Sequence, residues 1–135
     1  MSESAQHLQL VNLLIGKMKE MISKDHWCLI CSDSLGTMCI PPQTQEGYRP
    51  DVYYCFEKLM IIGEAKTSDD VERMHSRAQY EAYIKKCSVH NGEAWLLLAV
   101  PWTERATALN ILQKLKKKHP GDYMIRVYED IGGSI

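Results

Sequence analysis

Two carboxylates and a lysine stand around one apolar run of this chain. Asp51 follows Arg49-Pro50, and Glu64-Ala65-Lys66 closes the stretch that begins at Leu59. Side chains of these types, gathered at one point, suit metal-assisted attack of water on a phosphodiester. Hard carboxylate oxygens hold a divalent cation such as Mg²⁺, and an ammonium offsets charge that grows on the phosphate. Gln79 and Tyr83 follow, four residues apart, and in a helix they share one face. That face can meet a metal site or a phosphate backbone. An isolated Glu-x-Lys at a strand end is ordinarily a rim ion pair, so the chemistry depends on whether the chain brings Asp51 to it.

Local geometry says that it does. Positions 52–56 and 59–63 are rich in β-branched, aromatic and aliphatic residues, and only Glu57-Lys58 separates them. They read as the two strands of a hairpin. A two-residue turn sets Phe56 against Leu59, Cys55 against Met60 and, at the far end, Asp51 against Glu64. Directly opposed residues have Cα atoms about 4.5–5.5 Å apart. Alternate residues of a strand share a face, so Glu64 and Lys66 point the same way. Glu-Lys is not a favoured type I′ pair, and a slip of one residue sends Asp51 to the other face. Two carboxylates about 4 Å apart repel by roughly 4 kcal/mol at a surface-like dielectric. Either one of them holds a proton or a cation lies between them.

The rest of the chain must supply a scaffold. Its 135 residues, 45% hydrophobic and 24% charged, suit a single globular domain over positions 1–135. No apolar run approaches the roughly 20 residues of a membrane helix, and MSESAQHLQL lacks the parts of a signal peptide. The expectation is a cytoplasmic protein with no membrane partner. A net charge of −1 does not favour a dedicated nucleic-acid binder. Candidate phosphate contacts are Arg49 and the basic run Lys116, Lys117 and Lys118. The five cysteines read as reduced, mostly buried thiols. Cys28, Cys31 and Cys39 lack a fourth ligand at structural-zinc spacing.

A helix is predicted over 4–22, with Val11, Leu14, Ile15, Met18, Met21 and Ile22 on its apolar face and His7 in its first turns. A strand follows over 27–32, then a turn at Leu35-Gly36, an extended piece over 37–40 and a loop over 41–47 that suits a lid or a substrate loop. The second helix is predicted over 70–89, capped by Ser68 or Asp69, with Glu72 in capping-box position to Asp69. Positions 94–100 form a strand buried on both faces. A third helix runs from a Thr103 cap to 118, with Ala106, Leu109, Leu112 and Leu115 inward. A strand over 123–128 and a tail at Gly132-Gly133-Ser134 end the chain. The order α-β-β-β-α-β-α-β implies an α/β fold: one mixed sheet flanked by helices on both faces.

Pro50-Asp51 and Glu64-Ala65-Lys66 after an apolar strand resemble the PD-(D/E)XK, or restriction-endonuclease-like, nuclease superfamily. Gln79-Tyr80-Glu81-Ala82-Tyr83 is similar to the QxxxY motif of its RecB-like branch. The predicted element order resembles that superfamily's α-β-β-β-α-β core, with a further helix and strand appended. The resemblance implies that Asp51, Glu64 and the Ala65 backbone carbonyl bind Mg²⁺ or Mn²⁺, with His7 as an additional ligand. It implies that Lys66 assists the attacking water while Gln79 and Tyr83 support the site. The activity implied is metal-dependent hydrolysis of DNA, by a homodimer or within a larger repair or restriction complex. The alternative is a nuclease-like domain without catalysis that binds nucleic acid or protein. No glycine-rich phosphate loop or nucleophile elbow points to another enzyme class.

Overall fold

Residues Leu10, Val11, Leu14 and Met18 line one stripe of helix α1 (Ala5–Met21), and that stripe is buried. The Ser4 hydroxyl caps the helix by accepting from the His7 amide at 3.0 Å, which fixes the turn that carries His7. The structure, a computed structural model, describes residues 4–32 and 39–130. After α1 come a short 3₁₀ helix (Lys24–Leu29), the edge strand β1 (Cys31–Ser32), and the hairpin of β2 (Val52–Phe56) and β3 (Leu59–Ala65). Helix α2 (Met74–Ser88), strand β4 (Glu93–Pro101), a 3₁₀ turn (Trp102–Glu104), helix α3 (Arg105–Lys118) and strand β5 (Met124–Asp130) complete the order.

The strands form one five-stranded mixed sheet in the order β1-β2-β3-β4-β5. The first two pairings are antiparallel and the last two are parallel. Parallel neighbours need a crossover, and α2 and α3 provide them. On β3, Met60 and Ile62 pack with Tyr80, Tyr83, Ile84 and Leu112 of α2 and α3. Ile61 and Ala65, which alternate with them, pack with Leu10, Leu14 and Met18 of α1. Helices therefore cover both faces, and the near-continuous apolar runs of β3 and β4 follow from that burial. A Cβ at Gly63 would lie 3.0 Å from Met18 Cε, so glycine lets α1 settle directly on the strand. Among the described residues no helix is long and apolar enough to cross a membrane.

The hairpin has the register expected from its turn, with Phe56 opposite Leu59 and Val52 opposite Gly63. Glu57, at φ 55°, is the one non-glycine residue with positive φ among the described residues, and it turns the chain. Four expectations are corrected. Most of 27–32 is not a strand: Ser23 caps the 3₁₀ helix through the Asp25 amide, and the Trp27 indole donates to the Lys19 carbonyl at 3.2 Å. Helix α2 begins at Met74 rather than 70. The Thr67 hydroxyl and carbonyl instead bond the side chain and amide of Asp70 in a local turn, with Val71 plugged into the core. Helix α3 turns Leu109, Leu112 and Leu115 to the core as expected and buries Ala108 and Ile111 beside them, but Ala106 is exposed. The cysteines are not uniformly reduced and buried. The Ser32 amide bonds the Cys39 carbonyl at 3.2 Å, Cys31 and Cys39 form a disulfide, and Cys28 and Cys55 are exposed. The Leu35-Gly36 turn, positions 37 and 38, and Gly132-Gly133-Ser134 lie outside the described residues.

Candidate active site

Strand alternation turns Glu64 toward α2, where it is 3% exposed. Its Oε1 accepts from the Tyr83 hydroxyl at 3.3 Å and from the Asp51 amide at 3.2 Å. Its Oε2 lies 3.3 Å from the Lys66 ammonium. Lys66 also donates to the Gln79 side-chain oxygen. One turn of α2 thus holds two partners of the β3 end: Gln79 for the lysine and Tyr83 for the acid. Asp51 sits where β2 begins. Its Oδ2 accepts from the Ala65 amide at 2.8 Å and lies 3.3 Å from His7 Nε2. His7, Asp51, Glu64, Lys66, Gln79 and Tyr83 therefore form one connected set, drawn from α1, the hairpin and α2.

Its electrostatics are unusual for a rim. Burial, and after it the charge of Asp51, pushes the Glu64 carboxyl up to about 8, while Lys66 and the Asp51 amide pull the other way. Burial followed by Glu64 and Asp51 raises the Tyr83 phenol far above its ordinary value, so it stays a neutral donor. Without another cation, this setting favours the protonated form of Glu64. One lysine does not compensate two acids in this setting.

The donors present define what the site can hold. Among the described residues, no three or more of His, Cys, Asp and Glu are grouped closely enough to hold a metal unaided. Asp51 and Glu64 still offer two adjacent carboxylates. Mg²⁺ commonly takes one or two carboxylates and completes its shell with water and substrate phosphate. A buried Glu64 whose proton affinity is raised by burial and by the neighbouring charge of Asp51 fits a hard divalent ion. It does not suit zinc, which prefers closed sets of nitrogen and sulfur ligands.

The remaining predicted residues lie elsewhere. Arg49 donates Nε to the Pro41 carbonyl at 3.0 Å and closes the base of the 41–50 loop. Lys116, Lys117 and Lys118 end α3, where β5 is about to begin beside the start of β4. Glu64 pairs with Leu98, toward the other end of that strand. Lys116 donates to the Tyr123 carbonyl at 2.9 Å, and Lys118 pairs with Glu81 at 2.9 Å. Two features gave no sequence signal. The 41–50 loop is closed on itself by Thr44 and Tyr48, whose ring meets His75 edge-on at 5.5 Å. The His119 ring pairs with Glu81 at 2.6 Å across 38 residues.

No protein-family model, curated protein or solved structure matches the chain. The site's chemistry carries its functional reading.

Proposed function

We propose that this protein is a metal-dependent nuclease with a restriction-endonuclease-like fold that hydrolyses phosphodiester bonds in DNA. The observation that supports this most is the buried Glu64, held against Asp51 and beside a lysine that Gln79 steers. Like charges so placed are costly unless a cation joins them.

Asp51 and Glu64 hold Mg²⁺ or Mn²⁺ in this reading, with the Ala65 carbonyl as a further ligand. When bound, such an ion supplies Lewis acidity toward the phosphate and activates water. Lys66 orients the attacking water and offsets charge that develops on the phosphate oxygens. Gln79 accepts from Lys66 and fixes its ammonium. Tyr83 and the Asp51 amide hold Glu64 Oε1, leaving Oε2 on the side of Lys66. His7 steadies Asp51 Oδ2 or joins it as a ligand.

A second reading, a nuclease-like module that binds without cleaving, is favoured by the net charge of −1 and by the engagement of Lys116 and Lys118 within the fold. One assay separates the two. Purified protein is given labelled single-stranded, duplex and branched DNA with Mg²⁺ or Mn²⁺. The nuclease reading expects cleavage that disappears with a chelator and in Lys66→Ala. Absence of cleavage on all three substrates rejects it, and equal cleavage by Lys66→Ala removes the assigned site.

A further inference from the structure

A cavity of about 490 Å³ opens between the tip of the 41–50 loop, the last turns of α2 and the end of α3. That volume is within the range of small-ligand sites. Its walls are chemically divided. The loop presents the side-chain amides of Gln43 and Gln45, and α2 presents Lys85 and Lys86 with the apolar Val89 next to them. His119 closes the remaining side.

The positive wall is organised by its neighbours. The Lys86 ammonium lies 5.0 Å from the centre of the Tyr53 ring, a cation–π position that holds the side chain in place. Lys85 stands 3.9 Å from Glu46, an acid on the loop tip, at the outer limit of an ion pair. Glu81, the other nearby acid, accepts from His119 at 2.6 Å and Lys118 at 2.9 Å and is engaged by them. The Lys85 carbonyl accepts from the Ser88 hydroxyl and the Val89 amide, and the Cys87 carbonyl accepts from the His90 amide. Val89 is 81% exposed and lines the cavity together with Gln43, Gln45, Lys85 and Lys86.

An anionic head joined to a flat, polar-edged body matches this division. We propose that the cavity is a mononucleotide-binding site, with the phosphate on Lys85 and Lys86 and the base between Val89 and the amides of Gln43 and Gln45. Glu46 yields Lys85 to the incoming phosphate. The site shares no residue with the Asp51–Glu64 cluster and requires no cleavage there.

The test is an amide-shift titration of the full chain by NMR, run with a chelator present so that chemistry at Glu64 plays no part. The probes are a deoxynucleoside monophosphate, the matching deoxynucleoside and inorganic phosphate. The monophosphate is expected to shift amides in 43–46 and 85–89 with the tightest binding of the three. Lys86→Ala is expected to weaken it about tenfold, as loss of a charged hydrogen bond does, and Gln45→Ala to weaken it with the rest of the spectrum unchanged. No response of those amides at millimolar monophosphate overturns the proposal. So does equal binding of inorganic phosphate, which makes the cavity a plain anion site, or unaltered affinity in both variants.

Discussion

Replacing Glu64 by Gln tests the electrostatics of the cluster without changing its shape. The carboxyl ordinarily titrates near 4.5, and in the folded protein it is pushed up to about 8. Between those values the folded chain keeps a proton that the unfolded chain has released. Stability therefore falls as pH rises through that window. A rise from 4.5 to about 8 corresponds, at about 1.36 kcal/mol per pH unit, to a ceiling of about 5 kcal/mol. Local water entry lowers this, so a loss of a few kcal/mol is expected, against a total stability of roughly 5–15 kcal/mol. Glutamine cannot ionise, and its carbonyl still accepts from Tyr83 and the Asp51 amide. Urea unfolding from pH 5 to pH 9 should show wild type losing stability along the range and Glu64→Gln staying comparatively flat. The variant should be the more stable protein at the alkaline end. Millimolar Mg²⁺ should close the gap by stabilising wild type alone, because only the ionised acid binds it. Parallel pH profiles for the two proteins would refute the reasoning.

Three further outcomes follow from the same contacts. Gln79→Ala removes the second partner of Lys66 and should cut metal-dependent cleavage at least about tenfold, while circular dichroism and urea midpoint change little. Glu81 is held at about 2, first by its hydrogen bond from His119 and then by that from Lys118. Its stabilisation is full above about 4.5 and is lost as pH falls toward 2, so Glu81→Gln should cost about 1 kcal/mol at neutral pH and nothing extra at pH 2, read by acid titration of unfolding. Cys31→Ser opens the Cys31–Cys39 link and should cost about 2 kcal/mol in thermal or urea unfolding, with a reductant reproducing the loss in wild type and leaving the variant unchanged.

What the sequence made legible was local. A two-residue turn sets the hairpin register, and the register carries Asp51 to Glu64. Strand alternation then puts Lys66 beside Glu64, and helical spacing puts Gln79 and Tyr83 on one face wherever α2 begins. The errors lie where local signals compete or distant residues decide. Asp70 can serve a helix start or a tight turn with Thr67, and the turn wins because Val71 is buried by it. The aromatic and aliphatic run at 27–30 suits a strand, yet the Ser23 cap and the Trp27 indole bond keep it helical through Leu29. On α3 periodicity finds the inward Leu109, Leu112 and Leu115 and errs at Ala106, in the first turn, which is exposed. The Cys31–Cys39 link and the Glu81–His119 pair arise from tertiary placement. The bridging cation is an inference from charge balance, and the mixed sheet only sets the stage for it.

That cation is the centre of the account. A crystal of the protein soaked in Mn²⁺ and measured for anomalous scattering addresses it directly. The account predicts one strong peak within coordination distance of both the Asp51 and Glu64 carboxylates, lost in Asp51→Asn. A site in which Glu64 stays paired with Lys66, with no peak between the two acids at saturating Mn²⁺, would contradict it.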